Sequence, residues 1–156
     1  MKLGVFFLPR FARAAFVLGG AFPWLVPSIR ASLFPPRAGV LLDLLFLPLC
    51  HRIPERTLLL GGIAMPLCSR CAGLFTGVAL GALALWPRLS LPRWRWLIAA
   101  TFALMIAEIA AQDLHWHPIW HPTRLLSGAL FGYALGAATI SALYRNARED
   151  AGIAPS

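Results

Sequence analysis

The chain is poor in charge, and poorest in negative charge. Asp and Glu together number 6 in 156 residues, and all charged residues make up 13%. Soluble globular domains average about 25% charged residues, so a chain that is 59% hydrophobic is not built to face water on all sides. Lysine is nearly missing as well: 13 arginines and Lys2 alone produce the net charge of +8. In a soluble protein that balance would suggest nucleic acid. Here the arginines stand singly between apolar runs and form no basic stripe, which argues against nucleic acid and for the lipid bilayer as partner. Arginines in that arrangement flank membrane segments, bias topology and meet anionic headgroups. Strand-like alternation is also lacking, and every backbone polar group in lipid must be satisfied internally, so the expected spans are helices. Three cysteines are an odd number, which argues against a disulfide framework and for a metal or thiol site.

What is present is a set of apolar runs. Four are long enough, or nearly so, to cross a hydrocarbon core that needs about 20 apolar residues. They run from Ala14 to Ile29, Ala72 to Pro87, Trp96 to Gln112, and Leu125 to Tyr144. A fifth run, Gly39 to Cys50, is too short to span, carries Asp43 and is interrupted by Pro48. It reads as an interfacial or re-entrant helix that delivers Cys50 to the loop after it. The first run resembles a signal peptide in its flanking Lys2, Arg10 and Arg13, but no small-residue cleavage site follows, so it reads as an uncleaved helix. The expected fold is an all-α membrane protein: a single domain of about four transmembrane helices plus one short interfacial helix. Trp24, Trp86, Trp94, Trp96, Trp116 and Trp120 mostly fall near the ends of these runs, where interfacial aromatics belong.

Two of the runs carry small residues every four positions: Gly73, Gly77 and Gly81, then Gly128, Gly132 and Gly136. Each triplet makes a smooth helix face that another backbone can approach closely. The expected use is packing, either of these two helices on each other or on a membrane partner or second copy. Topology follows from the arginines. Lys2, Arg10, Arg13, Arg88, Arg93, Arg95, Arg145 and Arg148 fall on one side if the chain crosses four times. That places both termini in the cytoplasm, in what is expected to be a prokaryotic cytoplasmic membrane. Whatever the orientation, the Cys50–Cys71 and Asp113–Arg124 segments emerge together on the opposite, extracytoplasmic face.

Those two segments hold the chemistry. All three cysteines lie between Cys50-His51 and Cys68-Ser69-Arg70-Cys71. A C-x-x-C pair lets two thiolates grip one ion, Cys50 can return through the Gly61-Gly62 turn as a third ligand, and His51 can complete a tetrahedral set. Neighbouring residues such as Cys50 and His51 usually point apart, so a histidine from the other segment is an alternative fourth ligand. That segment supplies His115, His117 and His121, which read equally well as ligands or as headgroup-level decoration among tryptophans. Glu108, inside the third run, is expensive to bury and calls for a partner, for which Arg124 or another arginine near that face is the expectation. Asp113, Arg124 and Glu108 are the candidates for catalytic or substrate-binding roles.

Cys50-His51-x-Ile53-Pro54-x-Arg56-Thr57, a glycine turn, and then Pro66-Leu67-Cys68-x-Arg70-Cys71-x-Gly73-Leu74-x-x-Gly77 together resemble the signature of the integral-membrane family called domain of unknown function 2085. Asp113 and Arg124-Leu125-x-x-Gly128-x-x-x-Gly132 are similar to its downstream part, so the resemblance runs from about Leu44 to Gly136. It implies a multi-span membrane protein with shared polar residues at one face, and implies no activity. His115, His117 and His121 have no counterpart in that pattern.

Three functions are consistent with these residues. The first is a metal-binding membrane protein holding one zinc-like ion through Cys50, His51, Cys68 and Cys71, hydrolytic if a coordination position stays open and structural if it is closed. The second is a membrane thiol-disulfide oxidoreductase that exchanges Cys68 with Cys71. The third is a non-catalytic accessory subunit of a larger membrane complex.

Overall fold

The structure, a computed structural model, describes residues 7–33, 44, 46–50, 53–84 and 89–152. Four helices dominate: α1 (Phe7–Leu33), α2 (Ser69–Ala84), α3 (Leu91–Asp113) and α4 (His121–Asp150). Between α1 and α2 lies an antiparallel hairpin of β1 (Thr57–Leu60) and β2 (Ile63–Cys68). Helices α1, α3 and α4 are each long and apolar enough to cross a membrane, and α2 is a shorter apolar helix. The chain is an all-α membrane protein with a small two-stranded addition.

The Ala14–Ile29, Trp96–Gln112 and Leu125–Tyr144 runs lie inside α1, α3 and α4, and the Ala72–Pro87 run begins inside α2, with residues 85–87 outside the described part. Each helix outruns its apolar stretch at one or both ends. Hydropathy marks the part suited to lipid, whereas a helix continues until something stops it, as α4 does through Arg145 and Arg148 to the left-handed Gly152 (φ +68°). Of the expected helix over residues 39–50, only residues 44 and 46–50 are described; Phe46–Leu49 is a turn, closed by the Cys50 N–H on the Phe46 carbonyl at 3.0 Å.

Helices α2 and α4 pack on each other in parallel through their glycine faces. A Cβ added at Gly73 would collide with the Leu125 backbone, at Gly77 with that of Ala129, and at Gly81 with that of Tyr133. Reciprocally, Gly128, Gly132 and Gly136 meet the backbones of Arg70, Leu74 and Val78. The two triplets are therefore consumed within one chain, and neither leaves a groove for a partner or a second copy. Close backbone approach of this kind supplies the van der Waals contact that holds helices together in lipid, where no hydrophobic drive exists between them.

Helix α1 joins the other side of α2. Gly20 sits against the Phe75 carbonyl and Ala79, and the Trp24 indole N–H donates to the Thr76 hydroxyl at 2.7 Å. Helix α3 leans on α4 through Trp94, which is 1% exposed among Ala134, Ala137 and Ala138. Trp94 is thus buried by packing, because alanines on the facing helix leave room for an indole.

The two strands are the unexpected element, around an expected turn. Gly61 (φ +58°) and Gly62 (φ +80°) make that two-residue turn, which requires positive φ at both positions. Beyond Leu59↔Ala64 the register shifts, so that Thr57 pairs with Cys68 and the intervening β2 residues bulge. Pro66 sits in this bulge, where its missing N–H costs no ladder bond. Met65, Pro66 and Leu67 are all buried, which is why the strand shows no period-two alternation. The bulge also sets the direction in which Cys68 leaves the hairpin.

Candidate metal centre

Three elements deliver three thiols to one point. Cys50 ends the Phe46–Leu49 turn, Cys68 ends β2, and Cys71 occupies the first turn of α2. Their sulfur atoms all lie within 4.8 Å of one another. All three cysteines are free, Cys50 buried and the others half-buried. Apolar side chains back them: Val26 from α1, Phe46, Leu67 and Phe75. A zinc–sulfur bond of about 2.3 Å puts the sulfurs of a tetrahedral site about 3.8 Å apart, so the cluster needs only a small contraction around an ion.

The backbone is arranged for anionic sulfur. The Cys68 N–H donates to Cys50 Sγ at 3.3 Å, whereas hydrogen bonds to Cys50, then to Cys68, together with burial, hold the Cys71 thiol well above the ordinary thiol range. Hydrogen bonds from the Cys50 thiol, then from the Cys71 thiol, hold the Cys68 thiol well below the ordinary thiol range, against the opposing effect of burial; the nearby Arg124 charge acts in the same direction.

Next to the sulfurs lies a connected polar lattice between α2, α3 and α4. Arg70 Nε donates to Glu108 Oε2 at 3.1 Å, and its Nη2 forms a second, ion-paired contact with the same oxygen. Gln112 donates to the other Glu108 oxygen and accepts from Arg124 Nη1. Arg124, 1% exposed, also donates from Nε to the Ser69 hydroxyl at 3.1 Å, and Ser69 in turn donates to the Arg56 carbonyl at 3.3 Å. Ser127 points at Glu108 at 3.5 Å. Glu108 therefore has its arginine, and it is Arg70 rather than Arg124.

At the rim, Arg56 pairs with Asp113 at 3.4 Å, which brings the base of the hairpin and the end of α3 to the same end of the bundle. Gln112, Arg56 and Asp113 line a cleft of about 380 Å³ with His115, His117, Pro118 and Ile119. The histidines are not brought to the sulfurs: among the described residues no histidine nitrogen joins the cluster. His115 (φ +58°) is instead the left-handed residue that stops α3, with its N–H on the Gln112 carbonyl and the Trp116 N–H on the Ala111 carbonyl. His117 bonds the Pro118 carbonyl at 2.9 Å, and His121 begins α4 with its Nδ1 buried and unbonded. His51 lies outside the described residues.

Sequence reasoning identified the three cysteines, Glu108, Asp113 and Arg124, and it passed over Ser69, Ser127 and the role of Arg70. The signal was available for Arg70. In Cys68-Ser-Arg-Cys71 it falls on the same stretch of α2 that meets Gly128 of α4, so its side chain leaves from a helix contact.

A bundle of membrane-length helices that closes three thiols against a buried arginine lattice defines a polytopic membrane protein with a sulfur-rich site at one end. Residues 50–138 match the family described as predicted membrane protein (DUF2085), and the chain belongs to it. An uncharacterized protein of Methanocaldococcus jannaschii is 24% identical over 93 residues, which cover 56% of this chain and 58% of that relative. No solved structure matches the chain.

Proposed function

We propose that this protein binds one zinc-like transition metal ion at the extracytoplasmic face of the membrane through Cys50, Cys68 and Cys71, with His51 or water as the fourth ligand. The convergence of three sulfurs from three separate elements within 4.8 Å carries the proposal. A buried free cysteine is common on its own, but three thiols focused on one point, with a backbone N–H aimed at one of them, match the donor set of Cys₃-type zinc sites. In this reading both termini lie in the cytoplasm and the chain forms one membrane domain. Asp113 closes the rim through Arg56, and Arg124 stands behind the sulfurs as a supporting group. A fourth position held by water would make the ion a Lewis acid; held by His51, it would make the ion a structural staple.

Elemental analysis of the detergent-purified protein tests this. About one zinc-like ion per chain is expected, lost in Cys68→Ser and in Cys71→Ser and reduced in Cys50→Ser, because serine keeps the size but is a far poorer ligand. A metal-free protein whose three thiols stay reduced and inert would end the proposal. The thiol-exchange reading is favoured by one observation, the lowered Cys68 thiol. It requires a Cys68–Cys71 disulfide that forms and breaks reversibly in a protein without metal.

A further inference from the structure

Arg124 is a buried cation whose oxygen partners are neutral and whose other neighbour is the Cys68 sulfur. Its guanidinium, 1% exposed, binds the Ser69 hydroxyl and the Gln112 side-chain carbonyl. Among the described residues the available carboxylates are already engaged: Glu108 pairs with Arg70 and Asp113 with Arg56. An arginine does not lose its proton inside a protein, and a buried charge without an opposite one is costly. What remains beside it is sulfur. Ser69 is the neighbour of Cys68 in sequence, so the hydroxyl that receives Arg124 Nε sits at the edge of the thiol cluster.

We infer that the sulfur site is tuned for a divalent ion, because only a divalent tris-thiolate carries the single negative charge that Arg124 matches. This rests on the metal-binding reading. The charges follow from the binding reactions. A divalent ion displaces whatever thiol protons remain, giving M(SR)₃ with one negative charge and a neutral fourth ligand, and the protons pass to water. Arsenous acid condenses with three thiols to give As(SR)₃, which is neutral, and three waters. Copper(I) with three thiolates carries two negative charges. Soft thiolates accept all three elements, so donor type does not choose among them. The fixed charge of Arg124 does.

The readout is the ratio of cadmium affinity to arsenite affinity in the intact detergent-solubilised chain, cadmium standing in for zinc because its thiolate bonds absorb in the ultraviolet. Both ions start from the same metal-free protein, so its protonation cancels from the ratio. Only the charge difference between the two complexes remains. Arg124→Gln should lower the ratio by about tenfold or more, the scale expected for one charge a few ångströms away in a half-polar medium. Arg124→Lys should preserve it. Ser69→Asp supplies a second route, since a carboxylate there neutralises Arg124 and opposes an anionic complex; the ratio should fall in the same direction. An unchanged ratio in folded Arg124→Gln, or in folded Ser69→Asp if the first variant does not fold, overturns the inference while leaving the metal site intact. Failure of wild type to bind either ion overturns the metal-binding reading itself, and this inference with it.

Discussion

Arg70 and Glu108 meet through two hydrogen bonds to a single carboxylate oxygen, across 38 residues of sequence and between two helices that otherwise share little. Both side chains are mostly buried, at 13% and 11% exposure. Among the described residues, helix α3 also rests on α4 through Trp94 and the Phe102–Phe131 ring contact at 5.4 Å. At the sulfur end this ion pair and Gln112 tie α3 to the bundle, with the Arg56–Asp113 pair at the rim.

Breaking one side of that pair should cost far more than removing both. Arg70→Met leaves the Glu108 carboxylate uncompensated, and truncating one partner of a buried pair costs about 3–5 kcal/mol. The double variant Arg70→Met/Glu108→Gln should recover at least half of the lost thermal stability in detergent. Additive losses in the double-mutant cycle would show that the pair is not energetically coupled.

The α2–α4 seam predicts intolerance at specific glycines. Gly77→Leu and Gly132→Leu must push a backbone aside, and overpacking costs about 1–3 kcal/mol or more. Both should lower the melting temperature or abolish a monodisperse elution profile. Leu80→Ala, on a face that is 51% exposed, serves as the control and should behave as wild type. Glycine variants with unaltered melting would mean that the helices do not meet there.

The cysteines should differ in reactivity when no metal is bound. The Cys68 thiol is lowered by hydrogen bonds from Cys50 and Cys71, so its thiolate persists as the pH falls below the ordinary thiol value of about 8.5. At about pH 6, alkylation followed by peptide mass mapping should modify Cys68 ahead of Cys50 and Cys71. The sign for stability is the same. A depressed thiol pKa contributes stability that is complete above the unfolded value and declines as the pH drops below it. Equal, slow labelling of all three thiols at that pH would remove the basis for a preformed thiolate.

Orientation is open to direct labelling. In a chain whose three native cysteines are replaced by alanine, Glu55→Cys and His117→Cys should react with a membrane-impermeant maleimide added outside intact cells. Arg93→Cys and Glu149→Cys should react only after lysis. Labelling of Glu55→Cys and His117→Cys from opposite sides would break the shared-face arrangement that the Arg56–Asp113 pair supports.

The spans were legible because lipid imposes a crude and strong pattern, long apolar runs with arginine at their ends. The glycine triplets were equally plain, and only the choice between a partner in the same chain and one in another had to come from the structure. The three cysteines could be grouped by spacing alone. The Gly61-Gly62 turn could be read, but the strands that position Cys68 could not, since Leu58–Leu60 is uniformly apolar and the Pro66 bulge hides both faces of β2. Nor could the loop histidines be sorted. His115 looks like a ligand in a one-dimensional string, but its place is the left-handed stop of α3. Glu108 announced a need for a cation without naming it, because Arg70 and Arg124 both begin near helix ends on the same face.

Because α2 and α4 run parallel, the chain must return along α3 before the glycine seam can close. During synthesis α2 is therefore complete before α4 exists, and its three seam glycines have no α4 backbone to meet until the last helix is made. The sulfurs are all made before that moment, while Arg124 arrives only with the last helix. Birth order thus separates the thiols from the buried cation beside them, and a nascent chain stopped before α4 carries three clustered cysteines without the Arg124 charge.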